Sequence, residues 1–198
     1  MPFCHDRIKY SLKRSSNHTI ENRNFYVNIY FNNDDIYHGQ WLNNQKHGYG
    51  KLINKFNKYF YEGEFFQNKK HGHGKLTIQL NDRSMQRYYI GQWRNDRMNG
   101  YGTLYVNQSA YYEGEFRDSK KSGWGKMYYE NGDMYEGEWY NNKRHGLGLF
   151  VTVNGDRYEG HWFEDNKHGH GQYYFGKQKR LFEGLWFNNM CKSAEQVS

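Results

Sequence analysis

Histidine is the residue of this sequence with the clearest capacity for metal or proton chemistry, and it recurs at fixed positions. Four histidines precede a Gly-x-Gly pair, namely His47, His71, His145 and His168. Metal ligands must converge within a few ångströms, whereas copies of a two-stranded unit lie roughly 10 Å apart. Only the pairs His71–His73 and His168–His170 could catch a stray ion. The pattern predicts solvated turn histidines, with no metal site and no cofactor.

Paired glutamates are the next candidates, because two carboxylates can act as a general acid and base. Such pairs occur at Glu62/Glu64, Glu113/Glu115 and Glu136/Glu138. A carboxylate needs a pocket that shifts its pKa before it can act as a general acid. These pairs recur with the repeat, and an open single sheet of such repeats provides little pocket. We therefore expect them to face water, and we predict no catalytic residue and no enzyme.

The Gly-x-Gly pairs could suggest a phosphate-binding loop. None has a third glycine three residues on, and none opens an evident helix, so the dinucleotide fingerprint fails. Nucleic-acid binding is not expected either, since the aromatic residues that would stack on bases are needed for a core.

The glycines belong to a repeated unit that reads aromatic-x-Gly-x-aromatic, polar loop, Gly-x-Gly. In the first copy these residues are Tyr37, Gly39, Trp41, Gly48 and Gly50. The step of nine residues between the first two glycines is the same in six complete copies. A seventh copy lacks its Gly-x-Gly. The copies start near residues 37, 61, 89, 112, 135, 158 and 182.

Each copy predicts a β-hairpin. In the run Tyr135–Trp139 the aromatic residues and the glycine alternate with glutamates, so they share one face of a strand. Glycine weakens a strand unless something large lies close above it, so Tyr and Trp rings are expected over the glycines of the neighbouring strand. Asn131-Gly132 and Asn154-Gly155 suit type I′ turns between copies. The fold class is all-β: an elongated, single-layer, twisted antiparallel meander of about seven hairpins.

The chain divides by pattern into four segments. Residues 37–192 form the repeat array, and residues 25–36 are expected to supply a capping strand for its open edge. Residues 1–24 and 193–198 are polar and predicted to be flexible. The connection between the second and third copies carries about five extra residues around 80–87 and is expected to bulge as a loop.

Bulk properties favour a cytoplasmic protein. The two cysteines, Cys4 and Cys191, provide no disulfide framework. The start has no apolar stretch of signal-peptide length, and no run reaches the roughly 20 apolar residues of a membrane span. The net charge of +7 permits an acidic partner without requiring one.

The pattern Tyr-x-Gly-x-Trp, loop, Gly-x-Gly, at a spacing near 23 residues, resembles the MORN (membrane occupation and recognition nexus) repeat family. The likeness covers residues 37–192 and is clear from Ser122 to Trp139. It implies a non-catalytic scaffold of the cytoplasm and cytoskeleton that serves a cilium or flagellum, or spermatogenesis, with the sperm acrosomal region as one location. The implied partners are axonemal or flagellar-assembly proteins, whose helices or peptides lie along the aromatic face of the sheet.

Two surfaces follow as candidate sites. Exposed apolar patches mark binding sites, and the predicted partner-binding aromatic face comprises Tyr89, Trp93, Tyr112, Phe116, Tyr135, Trp139, Tyr158 and Trp162. A basic loop edge is the alternative, for a peripheral membrane adaptor that binds anionic phospholipid. Its residues are Lys69, Lys70, Lys120, Lys121, Lys143, Arg144 and Lys167. A homodimer through the sheet edge is a further expectation.

Overall fold

Sixteen β-strands and no helix occur in the part of the chain that the structure, a computed structural model, describes: residues 9–12, 25–31 and 33–197. The strands are β1 Lys9–Leu12, β2 Phe25–Tyr30, β3 Ile36–Leu42, β4 Gln45–Asn54, β5 Tyr59–Phe66, β6 Lys69–Gln79, β7 Met85–Arg94, β8 Arg97–Tyr105, β9 Tyr111–Arg117, β10 Lys120–Tyr128, β11 Met134–Tyr140, β12 Lys143–Val151, β13 Arg157–Phe163, β14 Asn166–Phe175, β15 Arg180–Phe187 and β16 Met190–Val197. The all-β, antiparallel hairpin prediction is confirmed.

The chain divides into two units, Met1–Arg97 and Met98–Ser198. In the N-terminal unit, strands β1 to β7 each pair antiparallel with the next strand in the chain. Strands β8 to β16 of the C-terminal unit do the same. Each unit is therefore an open meander of tandem hairpins.

A row of glycines crosses the C-terminal unit at one register. Gly137 pairs with Gly125 on one side and with Gly148 on the other. The row continues from Gly148 to Gly160 and from Gly160 to Gly171. Because directly paired residues share a face of the sheet, this row leaves a bare backbone track on which large rings can lie.

The turns within repeats are two-residue hairpin turns. Asn141 and Asn142 have φ of 49° and 72°, and the equivalent residues of the other repeats also lie at positive φ. Positive φ at both central residues is what a type I′ turn needs, and Asn and Asp tolerate it best among side-chain residues. The polar loop is thus shorter than the sequence predicts, since Lys143 already belongs to β12.

The type I′ prediction for Asn131-Gly132 is wrong. The connection runs over five residues, 129–133, and only Gly132 in it has positive φ, at 88°. Its backbone closes through Tyr129 N–H to the Asp133 carbonyl, 3.0 Å, and Gly132 N–H to the Tyr129 carbonyl, 3.0 Å. The Asn131 side chain accepts a hydrogen bond from Asp133 N–H at 3.1 Å, so asparagine stabilises a wider turn.

The extra residues between the second and third copies mostly extend strands. β6 and β7 reach 11 and 10 residues, and the connection covers only residues 80–84. A register shift at Leu76/Thr77 absorbs the odd residue. The expected bulging loop is therefore a longer hairpin with a β-bulge.

The ends of the array differ from the predicted segments. β2 lies in the predicted capping segment 25–36 and pairs with β3, burying Val27 and Ile29. Beyond it, β1 pairs with β2, and the rest of the predicted flexible segment 1–24 falls outside the described residues. At the other end, β16 continues to Val197 although a flexible tail was expected from residue 193. All eight β16 residues are exposed, so backbone pairing with β15 rather than side-chain burial holds this strand.

Candidate functional site

Each repeat tyrosine lies across the glycine row. The Tyr135 hydroxyl donates a hydrogen bond to the Glu138 carbonyl at 3.0 Å. A side-chain carbon added at Gly148 would meet the ring of Tyr135, with Cε2 only 2.6 Å away. The predicted placement of tyrosine rings over bare glycine is therefore confirmed, because only glycine leaves room for the ring.

Tryptophans complete a ladder of rings along the same face. Tyr135 meets Trp139 at 5.2 Å and Trp162 at 5.3 Å between ring centroids, both edge-on. The Trp162 indole N–H donates to the Gly148 carbonyl at 3.1 Å, and Trp139 donates to Gly125 at the same distance. Edge-to-face pairs are the favoured aromatic geometry, so each tyrosine links the tryptophans of two successive repeats.

This ladder is a core and not a docking face. Tyr135 is 0% exposed and Trp139 is 5% exposed, and all eight residues of the predicted partner-binding face are buried. They are Tyr89, Trp93, Tyr112, Phe116, Tyr135, Trp139, Tyr158 and Trp162. The prediction that part of the stripe stays exposed is wrong, since the rings tilt onto the glycine row and cover one another. These side chains offer a partner almost no surface.

Burial also fixes the protonation of the tyrosines. It raises the pKa of Tyr158 to about 12. Desolvation raises the pKa of Tyr112 and Tyr135 further above the ordinary value. Removing a phenol from water disfavours its charged form, so the hydroxyls remain neutral donors to the backbone.

The predicted basic loop edge divides between two environments. The second residue of each loop pair lies opposite the repeat Trp or Phe in register, as Arg144 does opposite Trp139. Its side chain covers the ring ladder. The Arg144 guanidinium lies 4.3 Å from the Trp162 ring centroid, and the Lys121 ammonium lies 4.5 Å from that of Trp139. We call these residues the inner cations: Lys46, Lys70, Lys121, Arg144 and Lys167.

The inner cations are part of the core. Desolvation lowers the pKa of Lys70, Lys121 and Lys167, with nearby aspartates acting against it. Only 15% of the Lys70 side chain is exposed. Attraction to ring faces offsets part of the desolvation cost, and the aliphatic stems cover apolar surface.

The first residue of each pair remains exposed. These outer cations are Lys69, Lys120 and Lys143. Lys143 forms a salt bridge with Glu164 at 3.1 Å, and its neighbour Arg144 forms one with Asp165 at 3.1 Å. The seven predicted lipid-binding residues therefore do not form one cationic surface, because the second residue of each pair covers the ring ladder and Glu164 lies beside Lys143.

The four histidines that precede Gly-x-Gly are partly buried strand residues and not the solvated turn residues that the sequence predicts, whereas His73 and His170 are exposed. On the outer face, opposite the ring ladder, His145 lies between Tyr140 and Phe163 at 5.7 and 5.3 Å. His168 lies between Phe163 and Phe187 at 5.8 and 5.1 Å. Their Nδ1 atoms are buried without a hydrogen-bond partner. Within the described residues no cluster of three or more His, Cys, Asp or Glu could hold a metal ion.

The glutamates serve the backbone. Glu138 Oε1 accepts the Leu147 N–H at 2.9 Å, and Glu64 Oε1 accepts the His73 N–H at 2.8 Å. The first glycine of each Gly-x-Gly has positive φ, 55° for Gly146, and the strand register shifts there. The shift leaves the next N–H without a ladder partner, and the carboxylate supplies one.

Six exposed apolar residues of the C-terminal unit lie on its outer face and were not predicted from the sequence. The middle of Gly-x-Gly is occupied by Trp124 and Leu147, and the position after the repeat Trp by Tyr140, Phe163 and Phe187. Leu185 precedes the repeat Trp in the seventh copy, and all six residues are between 43% and 60% exposed. We call them the outer strip: Trp124, Tyr140, Leu147, Phe163, Leu185 and Phe187. The signal was present, because large apolar residues at solvent-facing strand positions are informative.

Three findings bear on identity. The described residues contain no helix of the length and apolarity that a membrane span needs. A stretch of 80 residues is 40% identical to MORN repeat-containing protein 3 of Xenopus laevis, and it covers 40% of this chain but only 34% of that protein. The MORN repeat model matches residues 37–54, 61–79, 89–109, 112–134, 135–157 and 158–180. Six matches begin where six copies were predicted, although the seventh copy is not matched. They cover more than half of the sequence, and the chain belongs to the MORN-repeat family.

Proposed function

We propose that the chain is a protein-binding scaffold or adaptor without catalytic activity, working in the cytoplasm at a cilium or flagellum or in spermatogenic cells. MORN repeats fit binding to proteins or membranes. The cellular setting follows from the family resemblance. The partners are axonemal or flagellar-assembly proteins.

The outer strip is the observation that carries the protein-binding proposal. Its residues are roughly half exposed although they are large and apolar. Leu147 and Leu185 each lie opposite a histidine in register, His161 and His170, so the strip continues across strands β12 to β15. Exposed apolar groups in a contiguous patch favour a protein partner, and Trp, Tyr and Phe are the residues that anchor interfaces.

Membrane binding is the alternative, and the geometry favours it less. An anionic lipid surface requires several free cations on one side. Here the inner cations cover the ring ladder, and Lys143 already has Glu164 beside it. The outer cations Lys69 and Lys120 remain available for a weak lipid contact.

A pull-down from flagellated tissue tests the two functions with matched variants. The strip variant is Leu147→Ser/Leu185→Ser, and the edge variant is Lys69→Glu/Lys120→Glu/Lys143→Glu. Axonemal or flagellar-assembly proteins should copurify with the wild type and the edge variant and be lost with the strip variant. Circular dichroism of each variant checks that the sheet is intact.

Recovery of anionic lipid that is lost with the edge variant, without any strip-dependent protein, would support the membrane adaptor. Conversion of any candidate substrate to product by the purified chain would contradict the proposed absence of catalytic activity.

A further inference from the structure

Two concave regions lie on the outer face of the C-terminal unit beside the outer strip. The first has a volume of about 350 Å³ and is lined by Leu149, Arg157, Glu159, Gln172, Tyr174 and Leu181. The second, of about 380 Å³, includes Leu185, Glu183, Glu195 and Val197. Both contain leucines and carboxylates, so this face combines an apolar floor with negative charge.

The carboxylates form a row at one register. Glu159 pairs with Gln172, Gln172 with Glu183, and Glu183 with Glu195 across strands β13 to β16. We call Glu159, Glu183 and Glu195 the acidic row. All three are exposed, and none has a salt bridge within the described residues. Gln172 donates a hydrogen bond to Glu183 at 3.3 Å.

The local charge is opposite to that of the whole molecule. The chain carries a net charge of +7, yet the acidic row has no basic residue at its register on β13 to β16. Arg157 lines the first concavity, but its guanidinium lies over the Tyr174 ring at 5.7 Å from the centroid. Electrostatic complementarity therefore favours a basic partner at this register.

Leucines flank the acidic row on both sides. Leu185 lies two residues beyond Glu183 on one side, and Leu181 lies two residues before it on the other, so all three share the outer face. Leu147 of β12 lies opposite His161, on the same flank as Leu185, whereas Leu149 lies opposite Glu159 at the register of the acidic row itself. Apolar contact is available along the same line as charge.

The spacing of the row suits a helix. Strands are about 4.8 Å apart, and an α-helix rises about 5.4 Å per turn, so a helix lying across the strands places about one turn over each strand. Glu159 and Glu183 are two strands apart, which matches about seven residues of helix. Basic residues two turns apart on one helix face would reach both carboxylates.

We propose that the outer face of β12 to β16 docks a basic amphipathic helix of a partner protein, with its leucine-like residues on Leu147, Leu149, Leu181 and Leu185 and its Lys or Arg residues at the acidic row. This inference rests on the proposed scaffold function and names the chemistry of the partner. Helix-in-surface recognition of this kind uses apolar anchors for affinity and charge for orientation.

The direct test uses a labelled synthetic peptide of about 18 residues, about 27 Å long as a helix, with leucines and lysines on adjoining faces. Fluorescence anisotropy with the full chain should show saturable binding. The acidic-row variant Glu159→Gln/Glu183→Gln/Glu195→Gln should bind about tenfold more weakly. A peptide with glutamates in place of the lysines should not bind.

The matched control is Glu113→Gln/Glu130→Gln/Glu164→Gln, which changes the net charge equally at exposed carboxylates outside the row. It should bind the lysine peptide within about twofold of the wild type. Equal weakening by both triple variants, or no loss with the acidic-row variant, would overturn the docking site.

Two further outcomes separate this inference from the scaffold function. In the first outcome, flagellar proteins are lost with the strip variant, but the acidic-row variant still binds both those proteins and the peptide. That result would support the scaffold function and overturn the basic-helix inference. If the chain alone dimerises in sedimentation and Leu147→Ser/Leu185→Ser makes it monomeric, the face belongs to a second copy and the inference is overturned.

Discussion

At the scale of the residue, two kinds of glycine with different physical tasks occur in each Gly-x-Gly. Gly146 has a φ of 55°, which side-chain residues rarely adopt. Gly148 is not among the positive-φ glycines and instead leaves space for the Tyr135 ring. Repeat geometry therefore requires the first glycine for its backbone and the second for its missing side chain.

The substitution Gly148→Ala tests the steric task. The new methyl group collides with the Tyr135 ring, so we expect a loss of about 3 kcal/mol in the free energy of unfolding. The comparison variant is Gly155→Ala, where nothing lies within 4 Å of an added carbon but φ is 87°; strain alone should cost about 1 kcal/mol. Chemical denaturation measures both, and equal losses would contradict the steric role.

The inner cations give a second residue-scale prediction. Met98 is buried at the position in the third repeat that Lys121 occupies in the fourth. Lys121→Met keeps the packed stem and removes a desolvated charge, so stability should change by less than about 1.5 kcal/mol. Lys121→Ala should cost about 2 kcal/mol through lost packing. Thermal unfolding compares the two, and equal losses for Met and Ala would show that the charge, and not the packed stem, makes the contribution.

At the scale of the element, the hairpin turns connect each repeat to the next. Asp165 Oδ1 accepts the Arg144 N–H at 3.0 Å, and the Asp165 N–H donates to the Arg144 carbonyl at 3.0 Å. Asn142 bonds Lys121 in the same way, and Asn189 bonds Lys167. These hydrogen bonds between turns explain why Asn or Asp recurs at the second turn position, because both residues tolerate positive φ and carry a side-chain acceptor.

Substitutions at Asp165 separate these two properties. Asp165→Asn keeps both and should change the free energy of unfolding by less than about 0.5 kcal/mol. Asp165→Gly keeps the φ of 70° but loses the acceptor and should cost about 1 kcal/mol. Asp165→Ala loses both and should cost about 2 kcal/mol. If glycine is as stable as asparagine in equilibrium unfolding, the side-chain bond contributes nothing.

The tyrosine ladder predicts alkaline sensitivity. The folded-state pKa of Tyr158, about 12, lies above the ordinary value of 10.0. The folded state therefore keeps protons that the unfolded chain releases, so the stability from these phenols is complete below pH 10 and is lost between about pH 10 and 12. The lowered pKa of Lys121 acts in the opposite direction, but only up to its ordinary value of 10.5.

The unfolding temperature should thus fall steeply above pH 10, and the ultraviolet band of tyrosine ionisation should rise together with unfolding. Reversible ionisation of all tyrosines near pH 10 in an intact sheet would contradict the buried ladder.

Much of this fold follows from the sequence, and the reasons for the exceptions are specific. The fixed step from Gly39 to Gly48 predicts hairpins and the ring-over-glycine core. The burial of Trp139 could not be read from periodicity, because alternation gives the face of a residue but not the tilt of its ring. The sequence could not predict that Lys143 is exposed while Arg144 covers the ring ladder, because this depends on the exact turn length. One additional turn residue would exchange the faces of the two side chains.

At the scale of the whole molecule, the aromatic face that the sequence predicts as the binding surface is buried, and the candidate binding residues lie on the opposite, exposed face. The rings that recur in every copy form the interior of each unit, whereas the positions between glycines, which differ from copy to copy and include Trp124 and Leu147, reach solvent. A repeat array can keep its core constant and change its outer residues from copy to copy without loss of stability. Partner choice is therefore expected to depend on the outer residues.

Site-specific photo-crosslinking in flagellated-tissue extract tests this account most directly. A photoreactive residue is placed at Leu147 on the outer strip, at Lys143 on the loop edge, or at Asn154 in an exposed connection, three sites close together in the chain. The account predicts protein adducts from position 147 and few from positions 143 and 154. Adducts from position 143 to lipid or protein, with none from position 147, would contradict it.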